Sequence, residues 1–487
     1  MKRAKTGLAS VLVALLAGWA ATAPTASPTP PREINVTNDP TYAWGEQQIV
    51  INPRNPNNIA IATVGVTLCE NDPRPDCKQV PSTFYPPVPG LPAAFRGNRA
   101  VGFYENPDFT AVVVFYSFDR GRTWKRSRLP KAPVGFPTLF SQGDPAIAAG
   151  PDGTFYVSWD ANDWGTPEKT LPRAGVGISM SKDGGKTWSP PVLTGTPVDA
   201  PKLAVDHSTR TIYGASSSFR GPRSTGNPDL PLDPTSDRWL AMSKDGVKWT
   251  ETQGMGGFGS QMAAAHGVFA TIFTTSPSPG PFSPANNQQC GSEPAPCTIF
   301  QTSRDAGRSW SRHVLPIKLT PGANPGGPGT APMIAADPTK PGRYSVGVAM
   351  NKDSEFHVVT TEDYGKSWGT PVVVSQDKAK THYFAVMSYS PKGVLGMAWH
   401  TRLAAGGGGF GAPSAPFNIW AAISRDKGKT FSAAVKVSTM DSPGGNSSGD
   451  DYSGIALDGE YLYATWADWR TKTRQNFMGV VPFTEFK

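Results

Sequence analysis

Along most of the chain, apolar and polar residues alternate in short runs of four to seven, and Gly, Pro and Asp break the runs. Thr154-Phe-Tyr-Val-Ser-Trp159 and Val176-Gly-Ile-Ser-Met-Ser181 are typical. A period of two puts successive side chains on opposite faces, so the pattern predicts strands rather than helices. The runs group in fours. A first strand follows a polar lead-in, such as Gly143-Asp144-Pro or Ala200-Pro-Lys202. A second follows a turn, a third runs on from it, and a fourth ends the unit, as in Pro191-Val-Leu-Thr194.

Between the third and fourth runs one octet recurs. It reads Ser117-Phe-Asp119-Arg-Gly121-Arg-Thr123-Trp124 and Ser181-Lys-Asp183-Gly-Gly185-Lys-Thr187-Trp188. Further copies are Ser303-Arg-Asp305-Ala-Gly307-Arg-Ser309-Trp310, Thr361-Glu-Asp363-Tyr-Gly365-Lys-Ser367-Trp368 and Ser424-Arg-Asp426-Lys-Gly428-Lys-Thr430-Phe431. A shortened copy is Ser243-Lys-Asp245-Gly246-Val-Lys-Trp249. The six Asp positions are separated by 64, 62, 60, 58 and 63 residues. A near-constant period of this size marks a repeat architecture. The octet has the chemistry of a hairpin turn. Its carboxylate and hydroxyls can bond nearby N–H groups, its Gly can take positive φ, and its aromatic residue returns to the apolar layer. These Asp residues therefore read as structural.

The octet resembles the Asp box of sialidases and other Asp-box propellers, and five of the six copies match that pattern in full. Four antiparallel strands per unit make one propeller blade. First-strand lead-ins occur near Glu46, Gly143, Ala200, Gln261, Ala331, Tyr383 and Tyr452. The last unit ends after a third strand, and Glu33-Ile-Asn-Val-Thr37 is a strand without a unit of its own. The expectation is an all-β, seven-bladed propeller over residues 33–487, its last blade closed by the N-terminal strand, which removes exposed edges. A six-bladed ring with an irregular extra segment is the alternative.

Composition narrows the setting. Lys2, Arg3 and Lys5 precede an apolar run from Leu8 to Ala21, which reads as a secretory signal over residues 1–26. Residues 27–32 read as a Pro-rich spacer. A secreted or periplasmic, cell-envelope location is expected, with no membrane span after signal removal. Cys69 with Cys77 and Cys290 with Cys297 then read as two local disulfides, each pinning an insertion. The net charge of +8 falls to +5 without residues 1–26, and no Lys/Arg run argues for nucleic acid. No metal motif, phosphate loop or dinucleotide fingerprint is present, so no cofactor is expected. A monomer is expected.

In a blade, the lead-in to the first strand and the loop between the second and third share one face, opposite the octets. The lead-ins carry Glu46, Asp144, Asp199, Lys202, His382, Tyr383, Asp450, Asp451 and Tyr452. The loops carry Asp160, Asp163, Arg220, His400, Arg402, Asp468 and Arg470. Trp44, Trp159, Trp164, Trp399, Trp466 and Trp469 stand beside them. Such a mixture of charged, hydroxyl and stacking groups suits a glycan or other small polar ligand. Asp450-Asp451-Tyr452 and Asp468-Trp-Arg470 belong to one blade and are expected to face one another.

The resemblance implies a glycoside hydrolase. Sialidases clamp the sugar carboxylate with three arginines and attack with a tyrosine assisted by a glutamate, an aspartate serving as acid/base. Arg220, Arg402 and Arg470 are the candidate arginines, Tyr383 and Tyr452 the candidate nucleophiles, and Asp144 or Asp160 the acid/base. Glu46, Asp451, Asp468 and Trp469 complete the candidate binding set. The chain has no Arg-Ile-Pro motif, so a related hydrolase using two carboxylates is also weighed. A polysaccharide lyase would draw on His382, His400, Tyr383, Arg402 and Arg470. A non-catalytic glycan- or protein-binding propeller is the third reading.

Overall fold

The computed structural model describes residues 29–67, 79–80, 103–104, 110–130, 140–163, 174–194, 199–217, 238–253, 261–274, 290, 297–305, 307–317, 331–350, 355–375, 377, 381–404, 415–444, 452–471 and 473–487. Seven four-stranded antiparallel sheets follow one another along these residues. Blade 1 is Tyr42–Asn52, Asn55–Thr67, Thr110–Ser117 and Lys125–Arg128. Blade 2 is Phe140–Ala149, Phe155–Asp163, Ala174–Ser181 and Val192–Thr194. Blade 3 begins with Asp199–Asp206, blade 4 with Gln261–Ala265, blade 5 with Met333–Ala336 and blade 6 with His382–Tyr389. Blade 7 is Gly454–Leu457, Tyr461–Thr471 and Thr473–Pro482, with Glu33–Asn35 as its fourth strand.

The fold is thus a seven-bladed propeller, and the six-bladed alternative fails. The ring closes as the missing strand required. Glu33 lies opposite Gly479, Ile34 opposite Met478 and Asn35 opposite Phe477. A cluster of charge locks the closure. Arg470 bonds Glu33 Oε1 at 2.6 Å and Asp468 Oδ2 at 2.7 Å. Glu33 also accepts the backbone N–H and the hydroxyl of Thr439 at 2.7 and 2.9 Å.

The core lies between the blades. Trp44, Trp159 and Trp466 are fully buried, and Trp399 nearly so. The sequence placed all four beside the ligand face, but each indole packs inside the sheet stack. Gly177 shows why that position is Gly, since a Cβ there would come within 2.3 Å of the Trp159 ring.

Each octet closes as its chemistry predicts. Ser117 Oγ donates to Asp119 at 2.7 Å and accepts from Gly121 N at 2.8 Å. Asp119 also accepts from the N–H and hydroxyl of Thr123 at 2.9 and 2.6 Å. Burial alone would raise the Asp119 pKa, but these hydrogen bonds together hold it below the usual carboxylate value. The shortened copy keeps the motif with one residue fewer, as Gly246 N reaches Ser243 Oγ from three residues on, at 2.8 Å. The Cys290–Cys297 disulfide forms, and both residues are buried against Phe273 and Ile299. It therefore joins the apolar layer of blade 4 instead of only pinning an insertion. Cys69 and Cys77 lie outside the described residues.

Candidate functional site

The first strands of blades 1, 2, 3 and 6 share an irregularity just inside the lead-in. Register shifts between Gly45 and Gln48, Gly143 and Ala146, Asp199 and Lys202, and Tyr383 and Val386. A bulge adds a residue and re-aims the side chains around it. Glu46, Asp144 and Phe384 take φ of 55°, 49° and 48° there, a conformation uncommon for residues other than Gly. In blades 1 and 2 the re-aimed residues are acids.

These acids meet a tyrosine from blade 7. The Tyr452 hydroxyl donates to Asp144 Oδ1 at 2.5 Å. The Asp144 backbone N–H donates to Glu46 Oε2 at 2.8 Å. From blade 3, Lys202 Nζ lies 4.2 Å from the centre of the Tyr452 ring. Four consecutive blades, 7, 1, 2 and 3, thus deliver a phenol, two carboxylates and an ammonium to one place.

The tyrosine is held by its own backbone. Gln47 Nε2 donates to Tyr452 O at 2.5 Å and Gln48 Nε2 to Ser453 O at 3.1 Å. From blade 6, His400 Nε2 bonds the Ser453 hydroxyl at 2.8 Å. Below the acids, Thr63 Oγ1 donates to Gly45 O at 2.7 Å and Arg474 Nε to Trp44 O at 2.8 Å. A phenol bonded to a carboxylate is ready to lose its proton as it attacks, and a nearby cation stabilises the charge that develops.

The structure brings together Tyr452, Asp144 and Glu46 from the sequence candidates, and Lys202 from the wider face. Asp160 lies opposite Gly143 in the register, one residue from Asp144 along the neighbouring strand. Arg220 and Asp451 lie outside the described residues.

Four other candidates are drawn elsewhere. Arg470 pairs with Asp468 and with Glu33 at the ring closure. Burial would lower the Arg470 pKa, but the carboxylates of Asp468 and Glu33 hold it above its ordinary value. His382 is buried between the Thr401 hydroxyl, at 2.9 Å, and Asp377 O, at 3.0 Å. His400 is stacked on Phe417 with ring centres 4.8 Å apart, and burial pushes its pKa down to about 3. Both imidazoles are thus buried, and His400 reaches the Ser453 hydroxyl beside Tyr452 from its place against Phe417.

Tyr383 is also buried, beneath the Arg402 guanidinium at 4.7 Å from its ring centre. Trp469 is half-buried, with the Arg474 guanidinium 5.8 Å from its ring. No group of acids, histidines and cysteines that could hold a metal ion occurs among the described residues.

The sequence did not show that Tyr452 and Asp144 pair, nor that Gln47 and Gln48 position the tyrosine. The pair is separated by 308 residues. The one local signal was the acid at the same lead-in position of two successive blades.

The BNR/Asp-box repeat family model matches residues 115–126. No curated protein matches the chain. Among solved structures, the Hadza microbial sialidase Hz136 is similar at 15% identity, over 78% of this chain and 72% of that one, with a TM-score of 0.43. A protein of unknown function from Dyadobacter fermentans is similar at 10% identity, over 94% and 99%, with a TM-score of 0.44. Trypanosoma rangeli sialidase is similar at 11% identity, over 91% of this chain and 55% of that one, with a TM-score of 0.40. The chain therefore spans about half of the trypanosomal protein. No helix among the described residues is long and apolar enough to cross a membrane. The seven sheets and six octets show the fold by themselves: the chain is a seven-bladed β-propeller in which six blades carry the recurring octet turn.

Proposed function

We propose that this propeller is a carbohydrate-active enzyme of sialidase-like type, an exo-acting glycoside hydrolase centred on Tyr452. The observation that carries the reading is the 2.5 Å bond from the Tyr452 hydroxyl to Asp144. In this reading Tyr452 attacks the anomeric carbon as the glycosidic C–O bond breaks, Asp144 receives the phenolic proton, and the departing glycosidic oxygen takes a proton from solvent and leaves as an alcohol. Glu46, fixed on the Asp144 backbone, contributes the second negative charge beside the developing oxocarbenium ion. Lys202 stabilises charge on the phenol oxygen before attack. Water then releases the sugar from the tyrosine, so the net reaction adds one water across the glycosidic bond.

The lyase reading drew on His382, His400, Tyr383, Arg402 and Arg470, and the burial of both imidazoles and of Tyr383 weighs against it. A binding propeller would present the same aromatic and polar groups without needing a phenol bonded to a carboxylate.

The test is incubation with sialosides, uronic-acid glycans and neutral glycans, with products identified by mass spectrometry. Products heavier by one water than the sum of anhydro fragments support the proposal. Unsaturated products indicate elimination. Saturable binding without products leaves a binding propeller.

A further inference from the structure

We infer that the octet face is a docking surface for an anionic lipid bilayer. Antiparallel order puts the octets at the end of each third strand, opposite the end that carries Tyr452 and Asp144. Each of the six octets holds one exposed cation just before its closing aromatic: Arg122, Lys186, Lys248, Arg308, Lys366 and Lys429. None of these six takes part in a salt bridge among the described residues.

Charge is concentrated here. The octets contain twelve basic and seven acidic residues, an excess of five. Residues 27–487 together carry a formal charge of +5. The octets therefore account for the whole excess outside residues 1–26. Their six Asp side chains accept hydrogen bonds from octet hydroxyls and N–H groups, as in Asp183 from Ser181, Thr187 and Lys186. The six cations are exposed beside them.

The arrangement suits a plane better than a groove. One such cation on each of six of the seven blades spreads the charge around a ring, whereas a linear polyanion is matched by a stripe. Two of the four exposed large apolar side chains among the described residues also sit on these turns, Phe118 at 42% and Val247 at 50%. Basic residues beside exposed apolar ones are the makeup of a peripheral membrane contact. Docked this way, the chain would present Tyr452 to the side away from the bilayer.

The test is co-sedimentation of the full chain with vesicles of phosphatidylcholine alone and of equal parts phosphatidylcholine and phosphatidylglycerol, at low and high salt. Each basic residue near an anionic surface is worth on the order of fivefold in partitioning. Binding is expected only to the mixed vesicles and is expected to weaken with salt. Reversal of three cations (K186E, K248E and R308E) is expected to lower it more than tenfold with an unchanged melting temperature. Should that triple variant melt early, K186Q with K248Q is the milder substitute, with an expected loss of several-fold.

Equal partitioning to both vesicles overturns the inference, as does undiminished binding by folded charge variants. So does tighter binding to a soluble acidic polysaccharide than to the mixed vesicles. Because the face lies opposite Tyr452, these results are independent of any activity on glycans.

Discussion

Tyr452 and Asp144 stand 308 residues apart and share a hydrogen bond of 2.5 Å between blades 7 and 2. The contact exists because the ring closes and because a bulge turns Asp144 out of strand alternation at φ 49°. Closure is therefore a condition for the site as well as for the fold.

Removing the phenolic oxygen should separate chemistry from folding. Y452F deletes one part-buried hydrogen bond, which is worth about 1 kcal/mol of stability. Its loss of turnover is expected to exceed the roughly thousandfold typical of removing a positioned proton-transfer partner, because the attacking oxygen itself is gone. D144N is expected to fall similarly, with KM changed less than kcat. Steady-state kinetics and thermal melting of both variants check this.

Arg470 makes the opposite prediction. A carboxylate clamp would raise KM when removed, but Arg470 is held by Glu33 and Asp468 at 2.6 and 2.7 Å. R470Q leaves two buried or half-buried carboxylates without their cation, at a cost of about 3 kcal/mol. The melting temperature should drop by several degrees while KM of the folded fraction stays unchanged. A raised KM at unchanged melting would return Arg470 to the ligand.

The octets should prove structural. S117A removes the hydroxyl that bonds both Asp119 and the buried N–H of Gly121. Leaving that N–H unpaired costs about 1–3 kcal/mol. Urea unfolding should show the loss, and specific activity should not change.

Acid should act in two stages. His400 is kept neutral by burial, with its pKa depressed to about 3 from an ordinary 6.5. Its contribution is complete above pH 6.5 and is lost as pH falls towards 3, at about 1.4 kcal/mol per unit. Asp305 is lowered to about 2 by the Ser309 hydroxyl and backbone and by Ser303. Its contribution is complete above pH 3.8 and is lost only as pH approaches 2. H400N should flatten the first stage of a stability–pH curve and leave the second in place.

The contrast between octets and site explains what the sequence made legible. The Ser/Thr and Asp bonds that close an octet span at most four residues, from Ser117 to Gly121 or from Asp119 to Thr123, so the motif carries its own geometry. Ring closure was legible too, because a blade short of one strand and a strand without a blade imply each other. The site was legible only as a face. Lead-in position named Tyr452, Asp144 and Glu46 but could not pair them. The loops between second and third strands added Arg470 and His400 to the same face, although Arg470 finds Glu33 from 437 residues away and His400 stacks on Phe417. Which side of a strand a residue occupies near a bulge depends on the register, and the register is set by partners that lie far along the chain.

The most direct measurement is product formation from the glycan panel by the wild-type chain and by Y452F, run side by side with thermal melting. The account predicts products carrying an added water from the wild type, and their loss in a variant that melts as the wild type does. Wild-type turnover by a folded Y452F, or no product from any glycan with either chain, would contradict it.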